Sequence, residues 1–194
     1  MNALILHPWL AWAIWLLLYA SDISLTMLNA RLYKIGASQH LSYAGGLELS
    51  PSYQEDVERQ RWFSPRFLRG ILLLSGEFWL TWLITIQMGF VPSLYELVLG
   101  SWILLELAVH VRHLRNLVMF VYLKDSRGVQ GQIIYSAWLS YLISAADVFA
   151  FFLIFMILYL LLGRLFLLGG ALGCLATAFS HGRLAHGTRK AAEV

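Results

Sequence analysis

Five long apolar stretches, roughly 4–30, 66–90, 93–120, 135–162 and 165–181, alternate with short polar connections along this chain. Each approaches or exceeds the ~20 residues that an α-helix needs to cross a bilayer. The last is the shortest and is rich in glycine. Helix signals mark the boundaries. Ser64-Pro65 offers an N-cap followed by proline at the first helical position. Ser93 with Glu96, just after Pro92, has the spacing of a capping box, and so does Ser52 with Glu55. The second box opens a short interfacial helix over 52–63, inside a connection spanning 31–65. Gly128 and Gly131 part the third stretch from the fourth, and Gly163-Arg164 parts the fourth from the fifth. These elements predict an all-α integral membrane bundle of five transmembrane helices in a single domain, 1–194. No Lys or Arg precedes Arg31 and no small-residue cleavage site stands out, so the first stretch reads as a retained span and not as a cleaved leader.

Composition agrees. The chain is 59% hydrophobic and 13% charged, whereas soluble domains carry about a quarter charged residues. A lone cysteine, Cys174, leaves no internal disulfide, Cys-rich metal site or c-type haem attachment to consider. The net charge of +3 is small and gives no footprint for nucleic acid. Its placement is what matters. Arg31, Lys34, Arg59, Arg61, Arg66 and Arg69 fall in one polar region; Arg112, Arg115, Lys124 and Arg127 fall in another; Arg183, Arg189 and Lys190 lie in the tail. With five spans all of these share one side and only Arg164 lies opposite. The positive-inside rule then puts the N-terminus outside and the C-terminus in the cytoplasm of a plasma (inner) membrane. Trp9, Trp12 and Trp15, like Trp62 and Phe63, read as interfacial anchors.

Polar residues inside the apolar stretches carry the candidate chemistry. A charge at bilayer depth costs at least a few kcal/mol and rarely persists without a partner or a task. Asp22, Thr26 and Asn29 recur at i, i+4 and i+7, as do Glu106, His110 and His113, and Ser140, Ser144 and Asp147; Glu77 and Thr81 form a shorter pair. That spacing puts each set on one face of its helix. The alternating directions of the spans bring all four stripes between the midplane and the cytoplasmic interface. They predict a polar cavity open to the cytoplasm. Arg112 and Arg115 point off the Glu–His stripe, and are expected to snorkel to lipid phosphates.

Glu106, His110 and His113 are also candidate ligands for a divalent metal ion, since imidazole and carboxylate suit zinc, iron or manganese. Three successive turns span about 10 Å along the axis, which makes one ion on all three difficult without a bend. The same groups can hold and relay protons. No nucleophile constellation or phosphate-cradling loop stands out. In the first connection, His40, Tyr43 and Glu48 are candidate lid residues over the cavity. Gly169 and Gly173 permit close helix approach, within the chain or in a homo-oligomer or larger membrane complex.

Tyr43…Glu48-Leu49-Ser50-Pro51 and Arg112-His113-Leu114-Arg115-Asn116 resemble segments of small uncharacterised prokaryotic polytopic membrane proteins. The resemblance covers at most the first three spans and implies a prokaryotic membrane location without implying an activity. Residues and resemblance together lead to an expected channel- or transporter-like protein that handles a cation or protons. A metal-dependent enzyme acting on a lipid or small substrate, and an accessory subunit of a membrane complex, are the alternatives.

Overall fold

The computed structural model describes residues 4, 7–44, 50–125 and 130–192. Glu48 of the expected lid, the turn residues Gly45, Gly46 and Gly128, and Arg127 lie outside the described residues. Among those described there are six α-helices: α1 (Pro8–Ile35), α2 (Pro51–Glu58), α3 (Pro65–Trp82), α4 (Pro92–Leu123), α5 (Ala137–Leu162) and α6 (Leu165–Ala192). A 3-10 turn occupies Ala37–Gln39, and two three-residue strands, β1 (Leu41–Tyr43) and β2 (Ile133–Tyr135), complete the elements. All the helices except α2 are long and apolar enough to cross a membrane, which makes this a membrane protein.

Local signals account for most of the boundaries. Ser64 Oγ accepts the Arg66 N–H at 3.1 Å, and Pro65 takes the first helical position of α3. α2 begins one residue before the expected box: Ser50 precedes it and Pro51 fills its first position, where a missing N–H is harmless. Ser52 is therefore already inside the helix. Glu96 also departs from its expected role, because its Oε1 accepts the Phe166 N–H at 3.4 Å. That N–H belongs to the first turn of α6, where backbone donors lack intrahelical acceptors. α3 runs on into a π turn, Leu83–Gln87, closed by Met88 N–H on the Leu83 carbonyl at 2.9 Å. α6 outlasts its apolar stretch by more than two turns, ending with Arg189 and Lys190 in its last turn, where cations oppose the helix dipole.

The chain falls into two compact units, each assembled from three stretches. The first comprises Met1–Ser21, Phe63–Ala108 and Phe149–Leu175. Its core is aromatic: Trp15, Phe78 and Tyr95 are buried with Ala11, Leu99 and Ile103. Trp15 packs near Trp102 at 5.7 Å between ring centroids, and Phe78 meets Tyr95 edge-on at 5.9 Å. Trp9 is 67% exposed, as an anchor should be, but Trp15 is 2% exposed. Trp15 is a core residue, because it falls on the face of α1 that meets these rings. Trp12 lies between the two, its indole N–H donating to Ser75 Oγ at 3.0 Å.

Glycines set the closeness of α4 and α6 in this unit. A Cβ on Gly100 would stand 1.9 Å from the Phe166 carbonyl oxygen, and one on Gly169 would stand 1.9 Å from that of Leu97. A Cβ on Gly173 would meet Ser101 Oγ at 2.7 Å. The Gly169 and Gly173 pattern is thus used within the chain, as backbone-to-backbone packing of two helices.

The second unit comprises Asp22–Trp62, Val109–Val148 and Ala176–Val194. Its buried cluster of Ala37, Leu41, Phe120 and Leu123 is flanked by Tyr33, Tyr43, Met119 and Tyr135. β1 and β2 pair in parallel, with Leu41 opposite Ile133 and Tyr43 opposite Tyr135. Gly36 lets the chain leave α1 against Lys124, since a Cβ there would come within 2.5 Å of the Lys124 carbonyl oxygen.

Substitution at the α4–α6 contact should be costly because the obstructing atoms are backbone. Gly169→Val is expected to destabilise the protein by about 1–3 kcal/mol or more, read as a lowered thermal midpoint in detergent. Gly182→Ala, where a Cβ would meet nothing within 4 Å, should instead stabilise by about 0.5–1 kcal/mol through helix propensity. Equal midpoints for the two variants would contradict this packing.

Candidate functional site

The second unit contains a cavity of about 270 Å³. α1 contributes Thr26 and Asn29 to its wall; α4 contributes Arg112, His113, Arg115, Asn116 and Met119; α5 contributes Ser140, Ile143, Ser144 and Asp147. Tyr43 from β1 and Tyr135 from β2 line it as well. Three of the expected polar stripes therefore reach one cavity, through Thr26 and Asn29, His113, and Ser140, Ser144 and Asp147.

At one edge lies an acid–imidazole pair. His113 Nε2 stands 3.0 Å from Asp22 Oδ1 and 3.4 Å from Thr26 Oγ1. Nε2 is thus the ring nitrogen that faces both α1 side chains. His113 is nearly buried, and its backbone carbonyl accepts from Asn29 Nδ2 at 3.0 Å. Asn29 and Asp22 thus tie two turns of α1 to one residue of α4. Asp22 itself is half-buried and does not line the cavity; it meets the cavity through His113.

One turn earlier on α4, His110 brings a ring nitrogen within 4.8 Å of an Asp22 carboxylate oxygen. Glu106, one further turn back along the same helix, belongs to the first unit. Within the second unit, Asp22 on α1 is shared by His113 and His110 of α4.

The arginines depart from the snorkelling expected of them. Arg115 Nη1 approaches both Asp147 oxygens, at 2.9 and 3.1 Å. Arg112 donates to Ser144 Oγ. The reason is spacing: Ser144 and Asp147 are three apart on α5, as Arg112 and Arg115 are on α4, so each guanidinium has an acceptor within its own unit. The Ser144 oxygen accepts from Arg112 and also stands 2.9 Å from His181 Nδ1. His181 was not visible as a candidate, since the apolar stretch of α6 stops there. Tyr141, one turn before the next residue of the α5 stripe, packs 6.2 Å from its ring.

Of the expected lid, Tyr43 lines the cavity and stacks on Tyr135 at 5.6 Å and 15°. His40 Nδ1 lies 3.1 Å from the Gly131 carbonyl oxygen, fastening the start of β1 to the approach to β2. Burial, reinforced by Tyr135 and Tyr33, raises the Tyr43 phenol well above its ordinary range, against a smaller lowering by Arg115. Glu77 and Thr81 are not among the cavity residues. Glu77 is exposed on a face of α3 shared with exposed Leu73 and Leu80, and the Thr81 carbonyl accepts the Thr85 hydroxyl at 2.7 Å.

No family model matches this chain, and neither the curated proteins nor the solved structures contain a match to it.

The raised phenol carries a pH signature. Below about pH 10, the ordinary tyrosine value, Tyr43 is neutral in folded and unfolded chains alike and its contribution is whole. Above it the unfolded chain ionises first, so stability falls as pH rises. Tyr43→Phe should flatten that alkaline decline, seen in thermal midpoints measured between about pH 9 and 11. A wild-type decline that the substitution leaves untouched would assign it to other groups.

Proposed function

We propose that this is a five-span protein of the plasma (inner) membrane, N-terminus outside and C-terminus cytoplasmic, that handles protons or a cation in the manner of a channel or transporter. Its working groups are Asp22, His110 and His113. The asymmetry of the fourteen Lys and Arg residues, with Arg164 alone among them on the outer side, supports the orientation. The observation that carries the function is the 3.0 Å contact of Asp22 with His113, with His110 also within reach of the same carboxylate. Imidazole is the side chain that ordinarily titrates near neutral pH, and ionisable groups within spans mark ion and proton pathways. Within the second unit, His110, Asp22 and His113 form a series of imidazoles and an acid ending at the cavity wall. One water can bridge the wider step, because it needs only two to four polar partners.

Reconstituted protein in liposomes, loaded with a pH-sensitive dye and polarised by a potassium gradient, tests this directly. Wild type is expected to pass protons, and Asp22→Asn or His113→Gln to reduce the flux to background. Glu77→Gln, away from the cavity, should leave it unchanged. Wild-type flux in both Asp22→Asn and His113→Gln would remove these residues from the path.

The closeness of Asp22 and His110 supports a second reading, a metal-dependent membrane enzyme acting on a lipid or small substrate. There a divalent ion would activate water and a neighbouring carboxylate would accept its proton. Protein purified after exposure to zinc, manganese or iron should carry stoichiometric metal, and His110→Ala should lose it. Wild type that retains no metal ends this reading.

A further inference from the structure

The proton reading leaves most of the cavity without a task. Its volume of about 270 Å³ is several times the ~30 Å³ share of one water, so a single ordered water does not fill it. Three ionised residues line it, Arg112, Arg115 and Asp147. Two are guanidiniums and one is a carboxylate, so the wall carries a net positive charge within the spanning helices. The acid just behind the wall, Asp22, faces His113. Asn116, Ser140 and Tyr135 add neutral hydrogen-bonding groups.

Two buried acceptors in the wall lack a hydrogen-bond partner among the described residues: Asp147 Oδ2, which Arg115 meets as an ion pair, and Asn29 Oδ1, which no cation meets. Asn29 is 3% exposed, and its Oδ1 has no hydrogen-bond partner among the described residues, although its Nδ2 is used by the His113 carbonyl. A buried polar atom without a partner costs about 1–3 kcal/mol. It asks for a donor from whatever occupies the cavity. The occupant suited to this wall therefore carries negative charge for the guanidiniums and, at the same time, a hydrogen for Asn29.

We propose that this cavity binds a phosphate group, with Arg112 and Arg115 on its charged oxygens and Asn29 Oδ1 accepting from its P–OH. A phosphate monoester has its second pKa near 6, so roughly a tenth retains that hydrogen at pH 7 and roughly a quarter at pH 6.5, and the site selects that form. A carboxylate or a sulfate has none. Guanidinium matches the oxygen spacing of phosphate and bonds it through two parallel N–H groups. Val57, Met119, Ile143 and the stacked Tyr43–Tyr135 pair give the wall an apolar side for the carbon part of a phosphoester. The monoester headgroup of phosphatidic acid and a soluble phosphate share this chemistry, whereas a phosphodiester headgroup has no P–OH to give. The binding step needs neither proton movement nor a metal, so it stands or falls apart from the preceding readings.

The test uses full-length protein in phospholipid-free detergent at about pH 6.5, near the second phosphate pKa. Calorimetry or filter binding is run with inorganic phosphate, glycerol phosphate, dioctanoyl phosphatidic acid and, as comparator, sulfate. One saturable phosphate site is expected, with sulfate much weaker. Arg112→Gln should weaken phosphate by about tenfold or more, the loss of a charged hydrogen bond. Arg112→Lys keeps the charge and guards against a folding defect; it should still weaken binding, by less. Asn29→Ala should bring phosphate down towards sulfate while leaving sulfate unchanged. Preference for phosphatidic acid would assign the group to a lipid, and preference for the soluble phosphates would assign it to a cytoplasmic solute. Absence of saturable phosphate binding by folded wild type overturns the site. So does sulfate binding as tight as phosphate, or wild-type affinity in both Arg112 variants.

Discussion

Hydrocarbon cannot hydrate a charge, and the second unit is organised by that fact. Asp22 is met by His113, and Asp147 by Arg115. Each pair joins two long apolar helices, α1 with α4 and α4 with α5. The same contacts that neutralise the acids thus fix which faces of the three helices turn towards one another. Pairing does not exhaust the polar groups: Asn29 keeps an unused acceptor, and the cavity retains both arginines in its wall.

The first unit is held by other means. Trp15, Phe78 and Tyr95 form an aromatic core, and Gly100, Gly169 and Gly173 bring α4 and α6 into backbone contact. Between spanning helices such shape-matching substitutes for the hydrophobic effect, because lipid tails are as apolar as leucine. One chain therefore uses two kinds of cohesion. The polar one coincides with the candidate site.

Hydropathy made the five long helices legible, and the 3.6-residue repeat identified most of the polar faces. Where the reading departs from the structure, the physics is specific. Spacing tells which residues share a face but not where that face turns, so Glu77 and Thr81 share the spacing of Ser140 and Ser144 yet do not line the cavity. Arg112 and Arg115 seemed destined for lipid headgroups because acceptors on α5, distant in sequence, leave no mark near them. His181 escaped notice because helix α6 continues beyond its apolar stretch. Tyr135, at the start of the fourth apolar stretch, ends a strand instead, since a three-residue strand has no periodicity and depends wholly on a partner far away. His113 is the residue where the threads meet: it faces Asp22 and also lines the cavity. An occupant that contacts it and a proton that charges it would act on one side chain, and linkage makes any such influence mutual.

The parallel pairing of β1 with β2 carries a consequence for biogenesis. Parallel strands cannot be joined by a tight hairpin, and here His40 and Gly131 are separated by 91 residues. The intervening chain contains α3 and α4, so the tyrosine wall has nothing to close against until both helices have left the ribosome. Long-range pairing of this kind forms late because loop-closure entropy must be met first. During synthesis the nascent chain carries Asp22 and Asn29 in α1 well before their α4 partner exists, and this is the interval in which an insertion chaperone would find the polar face of α1 uncovered.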